Sequence, residues 1–272
     1  MSTSLREMSV AVLTTADPRQ KTALSRRFAE EWRTARKNGR KIELGSAQPP
    51  DMPARPSKPE LLSPRDVAQR KPGTPEGRIA MLHAIAHIEL IAVDLHWDII
   101  ARFPDVDFPM GFYDDWVQAA DDESKHFNLM ADCLEARGSH YGALPAHAGM
   151  WMSASETSND IMGRLAVVPM VLEARGLDVT PGMIKLFKQA KDHAAVDALD
   201  VIYSEEVAHV AYGSRWFHFL CGRENLDPTP TFHTLVRRYF HGQLKPPFNE
   251  EKRAEAGIAP DFYWPLVDQQ KP

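Results

Sequence analysis

Apolar residues recur at helical spacing along most of this chain, and no segment alternates apolar and polar positions as a half-buried strand does. The stretch EGRIAMLHAIAHIELIAVDLHWDIIA, residues 76–101, is apolar at nearly every helical offset and predicts a helix buried on several sides. FPDVDFPMG interrupts it, and GFYDDWVQAADDESKHFNLMADCLEAR, residues 111–137, predicts a second long helix closed by Gly138. After the loop SHYGALPAHAGMW a third helix is expected over 154–177, kinked at Pro169 because proline removes a backbone donor and crowds the preceding turn. Thr180-Pro181 reads as a cap and first-turn pair opening a short helix over 181–190, followed by a long helix over about 192–222. Thr229-Pro230 opens a last regular helix over 229–241, and the tail through DFYWPLVDQQKP reads as irregular. Upstream, residues 4–38 are helical, with Asp17-Pro18 as a cap pair. The predicted fold is all-α.

Between these parts lies LGSAQPPDMPARPSKPELLSPRDVAQRKPGTP, residues 44–75, so rich in proline that it must run extended. It reads as a disordered linker or as an ordered strap across a helical body, and Met52, Leu61, Leu62 and Val67 are available to anchor the strap. Three regions result: helices and strap over 1–75, a helical body over 76–222, and a last helix with its tail over 223–272.

Composition narrows the function. A net charge of −5 gives no general attraction to nucleic acid or an anionic membrane. With two cysteines, Cys133 and Cys221, a disulfide framework is not expected. No uninterrupted apolar run approaches the roughly 18 residues of a membrane span, and the N-terminal residues do not resemble a secretory leader. A cytoplasmic protein without a membrane partner is the expectation. No glycine-rich dinucleotide fingerprint is present.

The candidate chemistry lies in two Glu-x-x-His pairs, Glu123 with His126 and Glu206 with His209. Side chains three apart on a helix share a side, so each pair can reach one cation. With 17 glutamates and 11 histidines in the chain, about 0.7 such matches arise by chance, so two alone are weak evidence. Their context is stronger. Glu89 stands 34 residues before Glu123 and Glu173 stands 33 before Glu206, each inside an apolar helix and each followed five residues later by an aspartate, Asp94 or Asp178. A carboxylate in such a helix persists only when paired or metal-bound; a buried ion pair, with Arg175 available to Glu173, is the competing account. A helical hairpin levels Glu89 with Glu123, since each lies about 18 Å from its helix end.

Two helices each giving a Glu, and two each giving Glu-x-x-His, resemble the ferritin-like di-iron carboxylate superfamily over residues 76–222, most closely a bacterial ferritin-like family of unassigned function. MVLEARGLDV also resembles, over Glu-Ala-Arg, the tRNA-modifying di-iron hydroxylases. The resemblance implies a four-helix bundle holding two iron ions, with manganese as the alternative metal. Glu123 and Glu206 would bridge them, Glu89 and Glu173 would be terminal ligands, and His126 and His209 would complete one metal each. Asp122 would then orient His209 and Glu205 would orient His126, although the family's usual residue at the second position is Asp.

The expected activity is that of an oxygen-activating oxidoreductase, a hydroxylase or oxidase. Its partners would be dioxygen, a small-molecule substrate and an electron-donor protein, with nucleic acid entering only as a modified-tRNA type of substrate. A homodimer fits an elongated helical chain. Ferroxidase, peroxide scavenging or iron handling share the same ligands, and a non-catalytic helical interaction module is the remaining alternative. Tyr203 and Tyr212 flank the second pair as electron relays or packing residues. Ala166, Met170 and Leu177 beside Glu173 line a substrate pocket or pack closely. His96, two turns after Glu89, reads as a core histidine with an extra ligand as the alternative, and His83 with His87 are not expected to form a second metal site.

Overall fold

The structure is a computed structural model that describes residues 3–63, 66 and 71–267. It is all-α, and its backbone divides into two compact units, Met1–Trp151 with Leu186–Ala198, and Met152–Lys185 with Leu199–Pro272.

In the first unit, α1 (Leu5–Leu13) starts at a capping box in which Ser4 and Glu7 satisfy each other's backbone donors. Asp17 caps α2 (Pro18–Lys37) and Thr74 caps α3 (Pro75–Arg102), each followed by proline in the first turn, where its missing N–H costs nothing. α4 (Met110–Glu135) returns along α3, and Gly138 follows with φ +68°. The α3–α4 hairpin is symmetric, since thirteen residues separate Glu89 from Arg102 and thirteen separate Met110 from Glu123. Trp32, Trp97, Trp116, Phe112 and Phe127 fill the core. Two indoles are satisfied, Trp97 Nε1 donating to Ser25 Oγ and Trp32 Nε1 to Asp114, both at 2.8 Å. α3 is long and apolar enough to cross a membrane by length and composition, with mean hydropathy 1.4 over its best window, but 67% of that window is buried inside the protein.

Over its described residues the proline-rich segment is an ordered strap held by backbone hydrogen bonds. Ala54 N donates to Leu13 O at 2.7 Å, Lys21 Nζ donates to Ala54 O at 3.0 Å, and Arg102 donates to Pro50 O at 2.7 Å. Gly45 sits at φ +66° where a Cβ would come within 2.2 Å of Ser4 Oγ, so both the turn and the close approach require glycine. Met52 is 59% exposed and anchors nothing, while Val67 lies outside the described residues. Leu61 and Leu62 act through their backbone instead. They form β1 (Leu61–Leu62), which pairs in parallel with β2 (Ala146–His147), a two-strand ladder that no alternation announces.

In the second unit the helix boundaries differ from expectation. The third helix is two pieces: α5 (Gly149–Glu156) ends before Asp160, which caps α6 (Ile161–Val167). Around Pro169 the helix does not simply bend but widens into a π-helical turn, Val168–Glu173, and continues as α7 (Ala174–Gln189). Thr180-Pro181 therefore starts no new helix. The carbonyl four residues before Pro181, Leu177 O, accepts instead from Asn249 Nδ2 at 3.1 Å, so the bond proline removes is replaced from outside the helix. The long α8 spans His193–Glu224, as expected within two residues. α9 (Pro228–Tyr239) is capped by Asp227, two residues earlier than the Thr-Pro pair suggested. The tail is not wholly irregular: α10 (Glu250–Glu255) and α11 (Pro260–Tyr263) are followed by a 3₁₀ turn, Trp264–Leu266.

Gly213 of α8 lies against the π-helical turn, where a Cβ would fall 2.4 Å from Pro169 Cβ and Cγ. Gly222 of the same helix is exposed with nothing within 4 Å of such a Cβ. Gly213→Ala should therefore destabilise the protein by about 1–3 kcal/mol through overpacking, whereas Gly222→Ala should stabilise it by about 0.5–1 kcal/mol through helix propensity. Urea unfolding of the two variants reads the opposite signs.

Candidate metal centre

In the first unit α3 and α4 bring three of the expected residues together. Glu89 is 5% exposed, and Glu123 and His126 are fully buried. His126 Nδ1 lies 3.4 Å from Glu89 Oε2 and 3.4 Å from Glu123 Oε2, and the three offer ligand atoms within 4.8 Å of one another. Burial, and next to it the Glu123 carboxylate, push the Glu89 carboxyl well above the ordinary range, while His126 pulls it down. The hairpin symmetry explains the meeting, since equal helical arms of about 20 Å set the two glutamates level.

His96 joins this cluster. It sits seven residues after Glu89, two turns along the same face, with Nε2 3.7 Å from Glu123 Oε1 and its ring stacked on Trp116 at 5.3 Å between centroids. Its position two turns after Glu89 leaves it between an extra ligand and a core histidine in the sequence, and the structure makes it a buried histidine beside Glu123.

In the second unit Glu173 ends the π-helical turn and is buried. Glu206 and His209 are buried on α8, with His209 Nδ1 3.7 Å from Glu206 Oε1. From Glu173 to Gln189 is sixteen residues and from His193 to Glu206 thirteen, so the expected short helix is simply the end of α7. Tyr212 tilts against His209 at 6.3 Å and carries the Arg215 guanidinium over its ring at 5.6 Å. Tyr203 is held by its hydroxyl, which accepts from Asn249 Nδ2 at 2.7 Å. Ala166, Met170 and Leu177 are core residues, each at most 1% exposed. Arg175 is directed to Asp178 and to the carbonyls of Lys245 and Pro247.

Two residues expected to orient the imidazoles are half-buried. Asp122 accepts from Gln118 Nε2 at 3.0 Å and Lys125 Nζ at 3.1 Å, and Glu205 lies beside Glu206 on α8.

The aspartates five residues after Glu89 and Glu173 have a different task. Asp94 forms a buried ion pair with Lys21 of α2, and Asp178 forms one with Arg253 of α10 at 2.7 Å. Each ties a helix from outside the repeated segment to one that carries a glutamate. Sequence spacing marked the aspartates but not their partners, which lie 73 and 75 residues away.

His83 and His87 serve the loop after α4 rather than a metal pair. His83 Nε2 accepts from Gly142 N at 2.9 Å, and the His87 ring nitrogens meet Tyr141 Oη at 2.9 Å and His147 O at 3.0 Å.

A family model described as "Protein of unknown function (DUF455)" matches residues 14–264. An uncharacterized protein of Haemophilus influenzae is 42% identical over 208 residues, covering 75% of this chain and 72% of that protein. No solved structure matches.

Burial pushes His87 down to about 4 from an ordinary value of 6.5. The folded protein thus holds this ring neutral over a range where the unfolded chain protonates it. Its contribution is complete above about pH 6.5 and is lost as pH falls towards 4, amounting to about 3 kcal/mol in full. Unfolding free energies measured between pH 7 and 4.5 should fall more steeply for the wild type than for His87→Gln; parallel curves would refute the assignment.

Proposed function

The chain belongs to the DUF455 family, and we propose that it is a ferritin-like non-haem di-iron protein, an oxygen-activating oxidoreductase of the hydroxylase or oxidase type. The observation that carries this reading is the convergence of Glu89, Glu123 and His126 in a buried cluster, where burial and next to it the Glu123 carboxylate push the Glu89 carboxyl upward. Two adjacent buried carboxylates repel, and either protons or a cation must compensate them. The donor set of oxygen and imidazole nitrogen suits iron or manganese and fits the expected metal. The second unit repeats the composition with Glu173, Glu206 and His209, which supports two ions per chain rather than one.

Bound iron in such a carboxylate and imidazole set supplies the reduction of dioxygen. The chain's own groups do the rest. Glu89 and Glu123 would hold the positive charge, and burial, which pushes the Glu89 carboxyl well above its ordinary range, favours such compensation. His126 presents Nδ1 to the same point, and His96 stands against Glu123 from one helical face. Trp116 and Phe127, each 1% exposed, keep bulk water away from these groups. The substrate in this reading is a small organic molecule, and reducing equivalents come from a donor protein. The net charge of −5 weighs against a nucleic-acid substrate.

Protein purified from iron-supplemented culture should carry two irons per chain and consume oxygen under reducing conditions. The Glu123→Ala, His209→Ala double variant should lose most of the metal and reduce oxygen uptake by at least about a hundredfold, as expected for removed metal ligands. Iron-free wild type, or equal oxygen uptake by the two proteins, would refute the proposal.

A further inference from the structure

The first unit contains a cavity of about 60 Å³ on the side of α3 opposite its metal-ligating face. Its α3 wall is His87, Leu90, Ile91 and Asp94, a set spaced as one helical stripe. Glu89 and His96, at about 100° per residue, point to the other side of that helix. The outer wall is the strap, with Pro53, Pro59 and Leu61, fixed in place by the hydrogen bonds of Ala54 to Leu13 and Lys21. The cavity is therefore built by an ordered segment and not by a gap in the core. A water needs 10–15 Å³ by this measure, so there is room for about four to six non-hydrogen atoms.

Its lining is apolar except for a few groups, and among those donors are in excess. Trp151 is 7% exposed, and its Nε1–H meets no acceptor among the described residues. A buried donor left so is unfavourable, and an acceptor on a ligand relieves it. The Lys21 ammonium has three N–H groups, of which Asp94 and Ala54 O take two. Arg55 lines the cavity from an exposed position. Lys21 and Arg55 against Asp94 leave the lining with one net positive charge.

We propose that this cavity is a second small-molecule site, taking a short-chain monocarboxylate whose apolar body lies against Leu90, Ile91 and the strap prolines and whose carboxylate accepts from Trp151. It is separate from the candidate metal centre and stands whether or not Glu89, Glu123 and His126 bind iron.

The test is calorimetry and ligand-observed NMR on the full chain, iron-loaded and iron-depleted, with butyrate, 1-butanol and n-butylammonium as probes. Butyrate should bind in both metal states, about tenfold more tightly than either other probe, in keeping with a hydrogen bond to a charged acceptor. Ala148→Leu, which fills the cavity from its loop wall, should abolish binding. Trp151→Phe, close to isosteric, should weaken it about tenfold. Both variants should leave iron content unchanged. No butyrate binding, equal binding of 1-butanol, or unaltered affinity in Trp151→Phe would overturn the proposal; if Ala148→Leu does not fold, Trp151→Phe decides alone.

Discussion

Negative charge inside an apolar helical protein must be met by positive charge, because an ionised carboxylate removed from water without a partner costs far more than a domain's net stability. This chain meets that demand in two ways. Asp94, Asp98 and Asp178 each close on a cation of the chain, Lys21, Arg102 and Arg253. Glu89, by contrast, has a second carboxylate and an imidazole as its near neighbours. A pair of carboxylates held together is a poor structural device and a good cation site. That difference separates a residue that ties helices together from one suited to a cation.

The aspartate pairs and the glutamate clusters are mechanically linked. Asp94 stands five residues after Glu89 on α3 and is gripped by Lys21, which also holds the strap at Ala54. In the second unit Asp178 follows Glu173 by the same interval and is gripped by Arg253, while Asn249 caps α10, donates its backbone N–H to Asp178 and restores the carbonyl left by Pro181. Breaking such a buried pair costs about 3–5 kcal/mol because it strands the remaining charge. The peripheral segments thus hold the glutamate-bearing helices in rotation and register. Around Glu173 a further device acts: the π-helical turn over Val168–Glu173, packed on Gly213, sets where that carboxylate leaves its helix.

Most of the helical architecture was legible from periodicity, because α2, α3, α4 and α8 are long and strongly patterned. The failures share a cause. Thr180-Pro181 and Thr229-Pro230 look like helix starts locally, yet Asn249 rescues the first and Asp227 caps ahead of the second, and neither partner is visible in a short window. The strap's extended course was legible from its prolines, but the backbone bonds that hold it were not, since carbonyls at Pro50 and Ala54 leave no mark in side-chain pattern. At the candidate centre the repeated spacing found Glu89, Glu123 and His126 together. His96 was visible two turns after Glu89, but a single histidine in an apolar helix reads equally as core packing, so its place beside Glu123 needed the structure. Lys21 and Arg253, distant in sequence from their aspartates, were beyond reach.

The central claim, that the buried glutamates are metal ligands, bears most directly on a titration of metal-free protein with manganous ion, followed by calorimetry in buffers of different ionisation enthalpy. A carboxyl whose pKa burial has raised must lose its proton to bind a cation. The account predicts two ions bound per chain with protons released to the buffer, and loss of that release in Glu89→Gln. Saturation without proton release, or no uptake at all, would mean that these carboxylates remain buried acids and hold no metal.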